Sequence, residues 1–193
     1  MSTIKIGFVL LFSALLPACI STYRDFPQDM VNNPPKTKPY DTLYYNLNPF
    51  GLLSTGGGEE ALRTVFRQKT PFVTTEKVEK APARGIFCSV EVLYKPPTLP
   101  ALAFGYISAA TLTILPVWSN HDGYRLTYQV FVNGEKKKSF EYDITRKGGV
   151  WILALPFAWI NFLTYSESEA IEATTYQFFK DSAPIFAAYK AAK

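Results

Sequence analysis

One histidine, two cysteines and two methionines among 193 residues leave little for metal or covalent chemistry. His121 and Cys88 fall short of a zinc ligand set. No Gly-x-Ser-x-Gly elbow nominates a serine to work with His121, which reads as a polar loop residue. The glycines at 56–58 are followed by neither a Lys-Ser/Thr pair nor a Gly-x-Gly-x-x-Gly pattern, so a flexible turn is the better reading than a phosphate cradle. Charge is scarce too: Asp, Glu, Lys and Arg make up 19% of the chain. The net charge of +4 is scattered apart from Lys136-Lys137-Lys138, too thin for a nucleic-acid footprint. The carboxylate pairs Glu59-Glu60 and Glu167/Glu169 stand at expected helix starts, where the helix dipole accounts for them. The sequence therefore offers no enzyme, metal, cofactor or nucleic-acid motif.

What is abundant is aromatic and aliphatic surface. Phe, Tyr and Trp make up 16% of the residues. Two runs carry no charge, Pro96 to Asn120 and Gly148 to Tyr165, with a patterned polar hairpin between them. A third apolar run, Ile6 to Leu16, follows Lys5 and is too short to span a bilayer; it reads as the core of a signal peptide. It ends Leu16-Pro17-Ala18-Cys19. Leu16 does not suit an ordinary signal peptidase, which wants a small residue there.

In Leu16, Ala18 and Cys19 the chain resembles a bacterial lipoprotein precursor, and Pro17 departs from the usual Ala, Ser or Thr. The resemblance implies diacylglycerol on the Cys19 thiol, an acyl chain on the new amino terminus, and anchoring that exceeds what stable attachment needs. A disulfide between Cys19 and Cys88 is arithmetically open, but lipidation is the better use of Cys19. No Asp follows the Cys, since Ile20 and Ser21 do, which by the same resemblance implies outer-membrane sorting. The mature part is similar to small uncharacterised lipoproteins of Gram-negative envelopes. The expected organisation is a signal peptide over 1–18, lipidated Cys19 with an extended Pro- and Asn-rich linker over 19–40, and a single domain over 41–193.

Within that domain, Thr42 to Leu47 reads as a short strand and Glu59 to Arg67 as a helix burying Leu62, Val65 and Phe66. Phe72 to Lys80 and Arg84 to Lys95 read as strands, the second with Ile86, Cys88, Val90, Val92 and Tyr94 on one face. Cys88 has no neighbour to lower its pKa and is expected to be a buried structural thiol. In the hairpin, Gly123 to Arg146, apolar rows fall on even positions of both arms. A two-residue loop pairs even with odd, so a three-residue loop, Val132-Asn133-Gly134 with Gly134 left-handed, is expected. Ser166 and Glu169 form a capping box before a helix bearing Ile171, Thr174, Thr175 and Phe178, which Pro184 ends or kinks, leaving Ile185 to Lys193 as an amphipathic tail. The class is α+β: a mainly antiparallel sheet, flanking helices and two apolar aromatic-rich segments.

Three placements are open for those segments: buried core; cover for one sheet face that presents Phe104, Tyr106, Trp118, Trp151, Phe157 and Trp159 to lipid or a partner; or two spans of the inner membrane, 97–118 and 149–165. The spanning case sets the basic hairpin in the cytoplasm but strands an apolar-faced hairpin away from its sheet. The expected function is a lipid-anchored outer-membrane protein facing the periplasm, held through acylated Cys19 and acting by binding as a scaffold or accessory subunit for a protein partner in the envelope. The alternatives are an integral inner-membrane protein and a carrier of lipid or another apolar ligand.

Overall fold

The computed structural model describes residues 19–48 and 57–192; the signal peptide expected at 1–18 lies outside them. In chain order the elements are β1 (Cys19–Arg24), a 3-10 turn (Gln28–Met30), β2 (Tyr40–Leu47), α1 (Gly58–Gln68), β3 (Phe72–Lys77) and β4 (Ile86–Lys95). There follow α2 (Leu99–Ala110), β5 (Val117–Val132), β6 (Glu135–Val150), a 3-10 segment (Ile152–Leu163) and α3 (Glu167–Ala191). The class is α+β, and the six strands run in the order β1-β6-β5-β4-β2-β3.

The sheet is mixed, not mainly antiparallel. β1 is antiparallel to β6, but β2 is parallel to both β3 and β4. α1 stands between β2 and β3, and a helical crossover returns the chain to run in its original direction. The described residues divide into two compact units interleaved in sequence: unit 1 contains residues 19–24, 96–123 and 145–165, and unit 2 residues 25–95, 124–144 and 166–192. β5 and β6, of 16 residues each, are longer than the expected hairpin and contribute to both.

Unit 2 has an aromatic core. β4 alternates as its sequence implies, burying Ile86, Cys88, Val90 and Val92, while Phe87 is buried against Phe131, with ring centroids 5.6 Å apart. α1 buries Ala61, Leu62, Val65 and Phe66, and Phe66 meets Tyr45 and Phe179. α3 lays Phe178 flat on Tyr128, with centroids 4.3 Å apart and 10° between planes, and edge-on to Phe140. The Tyr128 hydroxyl and Thr175 Oγ1 share a buried hydrogen bond of 2.9 Å, and burial pushes both the Tyr128 phenol and the Cys88 thiol well up.

α3 begins with the expected capping box between Ser166 and Glu169. It continues through Pro184 to Ala191 instead of stopping there. The next residue, Glu167, is buried: its Oε1 accepts from the Gly58 N–H at 3.0 Å and its Oε2 from the Tyr124 hydroxyl at 3.0 Å. One carboxylate thus serves the amino-terminal ends of α1 and α3 together. The anion expected to have no place at the glycine turn is supplied by the chain itself. Gly58 has no room for a side chain, because a Cβ there would lie 2.4 Å from both Glu167 Oε1 and Ile171 Cδ1.

The hairpin turn differs from the three-residue loop expected. Asn133 and Gly134 have φ of +53° and +80°, the two-residue primed geometry whose twist suits paired strands. Asn133 tolerates this conformation and is tied twice to the loop before β4: its N–H donates to Gly85 O at 2.9 Å and its Oδ1 accepts from Gly85 N at 3.0 Å. Tyr128 and Phe140 nevertheless reach the same Phe178 ring. By parity, one strand must take up an extra residue between the turn and that pair.

Candidate membrane or partner contact surface

Unit 1 is built on β1, which the composition of residues 19–40 disguises as a linker. Cys19 to Arg24 pair with Val150 to Thr145 of β6, and Tyr23 is buried; Phe26 and Met30, which follow in unit 2, are buried as well. The linker expectation fails because Pro and Asn dominate only from Pro27 onward, and the short strand before them borrows its pairing from β6. Val117 to Asn120 of the first apolar run belong to β5, and Gly148 to Val150 of the second belong to β6. His121 therefore sits exposed in a strand, not in a loop.

The middle of the first run forms α2. Thr98 caps it, its Oγ1 accepting from Ala101 N at 3.5 Å, and Pro100 in the first turn needs no amide partner. Only Ser108 on this helix is buried, its Oγ donating to Leu115 O at 2.7 Å. The chain then turns through Leu112 and Thr113, both left-handed at φ +51° and +61°. That turn is fastened to the second run: Ile152 N donates to Thr113 O at 3.0 Å, and Trp151 Nε1 to Ile114 O at 3.0 Å. The 3-10 segment that follows buries none of its side chains.

This segment closes the outer edge of β1. Asn161 Nδ2 donates to Cys19 O at 2.7 Å while its Oδ1 accepts from Ser21 N at 2.9 Å, the pair of bonds a neighbouring strand would make. Thr164 Oγ1 donates to Ser21 O at 2.8 Å, and Tyr23 N donates to Tyr165 O at 3.1 Å. In the same unit, Asp122 is fully buried and accepts from Ser119 Oγ and from the Nε and Nη2 of Arg146. Cys19 is exposed as a residue, yet crowding of its sulfur raises the thiol pKa, with Arg146 opposing.

The six aromatic residues singled out from the sequence all belong to unit 1, and all are exposed: Phe104 61%, Tyr106 77%, Trp118 69%, Trp151 38%, Phe157 54% and Trp159 55%. Leu99, Ile114, Phe162 and Leu163, not singled out, join them. Among the large exposed hydrophobic side chains of the described residues, only Val73 and Leu93 lie outside unit 1. An element that is apolar all round and yet unburied lacks the partner that its composition demands. A cleft of about 320 Å³ opens between α2 and the start of β5, with Phe104, Pro116 and Trp118 in its wall.

The two spans expected as an alternative do not form as helices of that length. α2, with 12 residues, reaches about 18 Å at roughly 1.5 Å per residue, short of a hydrocarbon core of about 30 Å. Among the described residues no helix is long and apolar enough to cross a membrane. Sequence reasoning missed Asn161 and the Asp122–Arg146 pair. The signal for Asn161 was available, since it is an amide inside an otherwise uncharged apolar run. No protein-family model matches the chain, and no curated protein matches it in sequence.

Proposed function

We propose that the chain is a lipid-anchored envelope protein that acts by binding, as a scaffold or accessory subunit, and that unit 1 rests at the lipid–water interface of the periplasmic leaflet of the outer membrane. The observation that carries this reading is the concentration of exposed aromatic and aliphatic side chains in unit 1, the unit that also holds Cys19. Transferring an exposed Leu or Phe from water to an apolar phase is worth about 1.5–3 kcal/mol. Leu99, Tyr106, Phe162 and Leu163 are each more than three-quarters exposed, so a few such insertions add materially to the acyl anchor. Trp and Tyr suit the headgroup level, where one side of the ring is apolar and the other wet. The orientation is periplasm-facing from the outer membrane.

All three tryptophans, Trp118, Trp151 and Trp159, lie in unit 1, so selectively excited tryptophan emission reports on that unit alone. Lipidated protein in vesicles carrying brominated acyl chains should show quenched, blue-shifted emission. Emission unchanged from that in water would sink the interfacial reading. Membrane fractionation of Cys19→Ala tests the anchor: palmitate labelling should vanish and carbonate should release the variant, whereas persistent labelling refutes the lipidation site and carbonate-resistant retention supports spanning. The cleft beside Phe104 and Trp118 favours a second reading, a lipid carrier, which requires lipid to co-purify after detergent removal.

A further inference from the structure

Unit 2 contains a cavity that the envelope-anchor reading does not use. It has a volume of about 280 Å³ and opens beside the amino-terminal ends of β2, β3 and β4 and the last turns of α3. Behind its lining, the fully buried Phe72 and Phe186 meet edge-on with centroids 5.0 Å apart, and the partly exposed Tyr40 closes on both at 5.2 and 5.5 Å. Tyr44 forms a wall. Two cations, Arg84 and Lys190, line it against one carboxylate, Asp41.

The parts of this cavity are held in place before any ligand arrives. Lys190 Nζ donates to Pro39 O at 2.9 Å, which fixes the ammonium at the rim with donors to spare. Arg84 is exposed, and the residue after it, Gly85, has φ +109°, a conformation that side chains rarely adopt. A Cβ at Gly85 would lie 2.9 Å from the Tyr44 ring, so the glycine lets that ring stand against the backbone. The two hydrogen bonds between Gly85 and Asn133 then pin the loop that carries Arg84 to the hairpin turn. A wall of tyrosine rings, a glycine at a φ that side chains rarely adopt, a doubly tied loop carrying Arg84 and a tethered Lys190 make a small concave site with few polar groups of one dominant sign.

We infer that this cavity binds a small organic carboxylate with a planar aromatic body. The guanidinium fork of Arg84 matches a carboxylate in two bonds, Lys190 adds a point charge, and the partly exposed rings of Tyr40 and Tyr44 take the flat apolar part. The volume stands at the small end of ligand pockets, which favours a single-ring compound over a lipid.

The test is a titration of the detergent-solubilised, nitrogen-15-labelled protein with 4-phenylbutyrate, and with 4-phenylbutanol as the uncharged isostere, read at the amide signals of Gly85 and Ile86. The acid should shift these signals saturably, and the alcohol should bind about tenfold more weakly, the loss expected for one charge-assisted bond. Arg84→Gln should weaken the acid to the level of the alcohol, and Arg84→Lys should fall between. Equal affinity for acid and alcohol in the wild type overturns the inference without reference to any variant. So does the absence of a shift at millimolar acid, or wild-type affinity in Arg84→Gln. None of these readouts depends on the vesicle experiment, so the two proposals fail separately.

Discussion

Glu167 offers the sharpest test of how unit 2 is held together. Replacing it by Ala deprives the Gly58 amide and the Tyr124 hydroxyl of an acceptor they reach at 3.0 Å each, in a site that is 5% exposed. Hydrogen bonds to a charged group contribute about 1.5–3 kcal/mol each, so Glu167→Ala should lower stability by about 3–6 kcal/mol. Glu167→Gln keeps the shape. Its oxygen still accepts from Gly58, and its amide donates to a Tyr124 hydroxyl that turns to accept; what is lost is negative charge at two helix starts, worth about 0.3–1 kcal/mol apiece. The expected cost is therefore about 1–2 kcal/mol. Tyr124→Phe should cost about 1 kcal/mol, and the Tyr124→Phe/Glu167→Gln double variant less than the sum of the two, because each single change removes part of one shared interaction. Gly58→Ala forces a methyl group into Glu167 and Ile171 and should cost about 1–3 kcal/mol by overpacking. The assay is urea unfolding followed by far-ultraviolet circular dichroism in a mild detergent held constant across the series. A loss below 1 kcal/mol for Glu167→Ala, or strict additivity in the double variant, would refute the shared-carboxylate account.

Thr113 sits at φ +61° with a buried hydroxyl that has no hydrogen-bond partner, so Thr113→Gly should raise stability by about 1 kcal/mol, the left-handed strain relieved less the backbone entropy glycine loses; a lower unfolding midpoint would contradict this. Cys88 is fully buried and its thiol pKa is pushed up by burial, so maleimide should label it only after denaturation. With Cys19 acylated, the envelope form should yield one titratable thiol in urea, and two would count against lipidation. Arg125, with help from Lys95, holds the Asp143 carboxyl below its usual range. A depressed carboxylate stabilises above its unfolded pKa, and that contribution disappears as pH falls through the folded value. The effect is small at this half-exposed site, but carbon-13 titration should place Asp143 low in the wild type and nearer normal in Arg125→Gln.

The features legible in the sequence were those fixed within a few residues. The Ser166–Glu169 capping box, the alternation of Ile86 to Val92 and the amphipathic face of α1 each follow from local spacing. Partner choice was not legible. Nothing in Tyr40 to Leu47 announces that it lies between two parallel neighbours, because that order is set by the crossover through α1 and by packing of the sheet's buried face. β1 was hidden for the same reason: Cys19 to Arg24 has no apolar alternation, and its pairing comes from β6 more than a hundred residues on. The turn at Asn133 was misjudged because parity alone cannot tell a longer loop from an extra residue inside the strand. At the candidate surface, the six aromatic residues could be named from the uncharged runs, but Asn161 had to be seen beside β1 for its role to emerge.

The polar groups inside the two uncharged runs bear on what covers those runs. Ser108 donates to Leu115 O, Thr111 to Ile107 O and Ser108 O, Trp151 to Ile114 O, and Thr164 to Ser21 O, while Asn161 takes both the Cys19 carbonyl and the Ser21 amide. These side chains are committed to backbone, and among the buried side-chain polar atoms of the described part of the runs only the Thr113 hydroxyl is left over. In water such bonds replace equally good ones to solvent and gain about 1 kcal/mol each at most. Against hydrocarbon the alternative is an unpaired amide or carbonyl, which costs several kcal/mol, so internal satisfaction becomes a requirement for the segment to sit there at all. A surface with exposed tryptophans, no charge and backbone groups closed off by its own serines, threonines and asparagine has the chemistry of a segment that meets a dry phase. A protein partner accounts for the exposed rings equally well, but it could supply donors and acceptors of its own and would not demand that the edge of β1 be sealed beforehand by Asn161. That difference is why the lipid interface, and not a generic docking face, is the occupant proposed for unit 1.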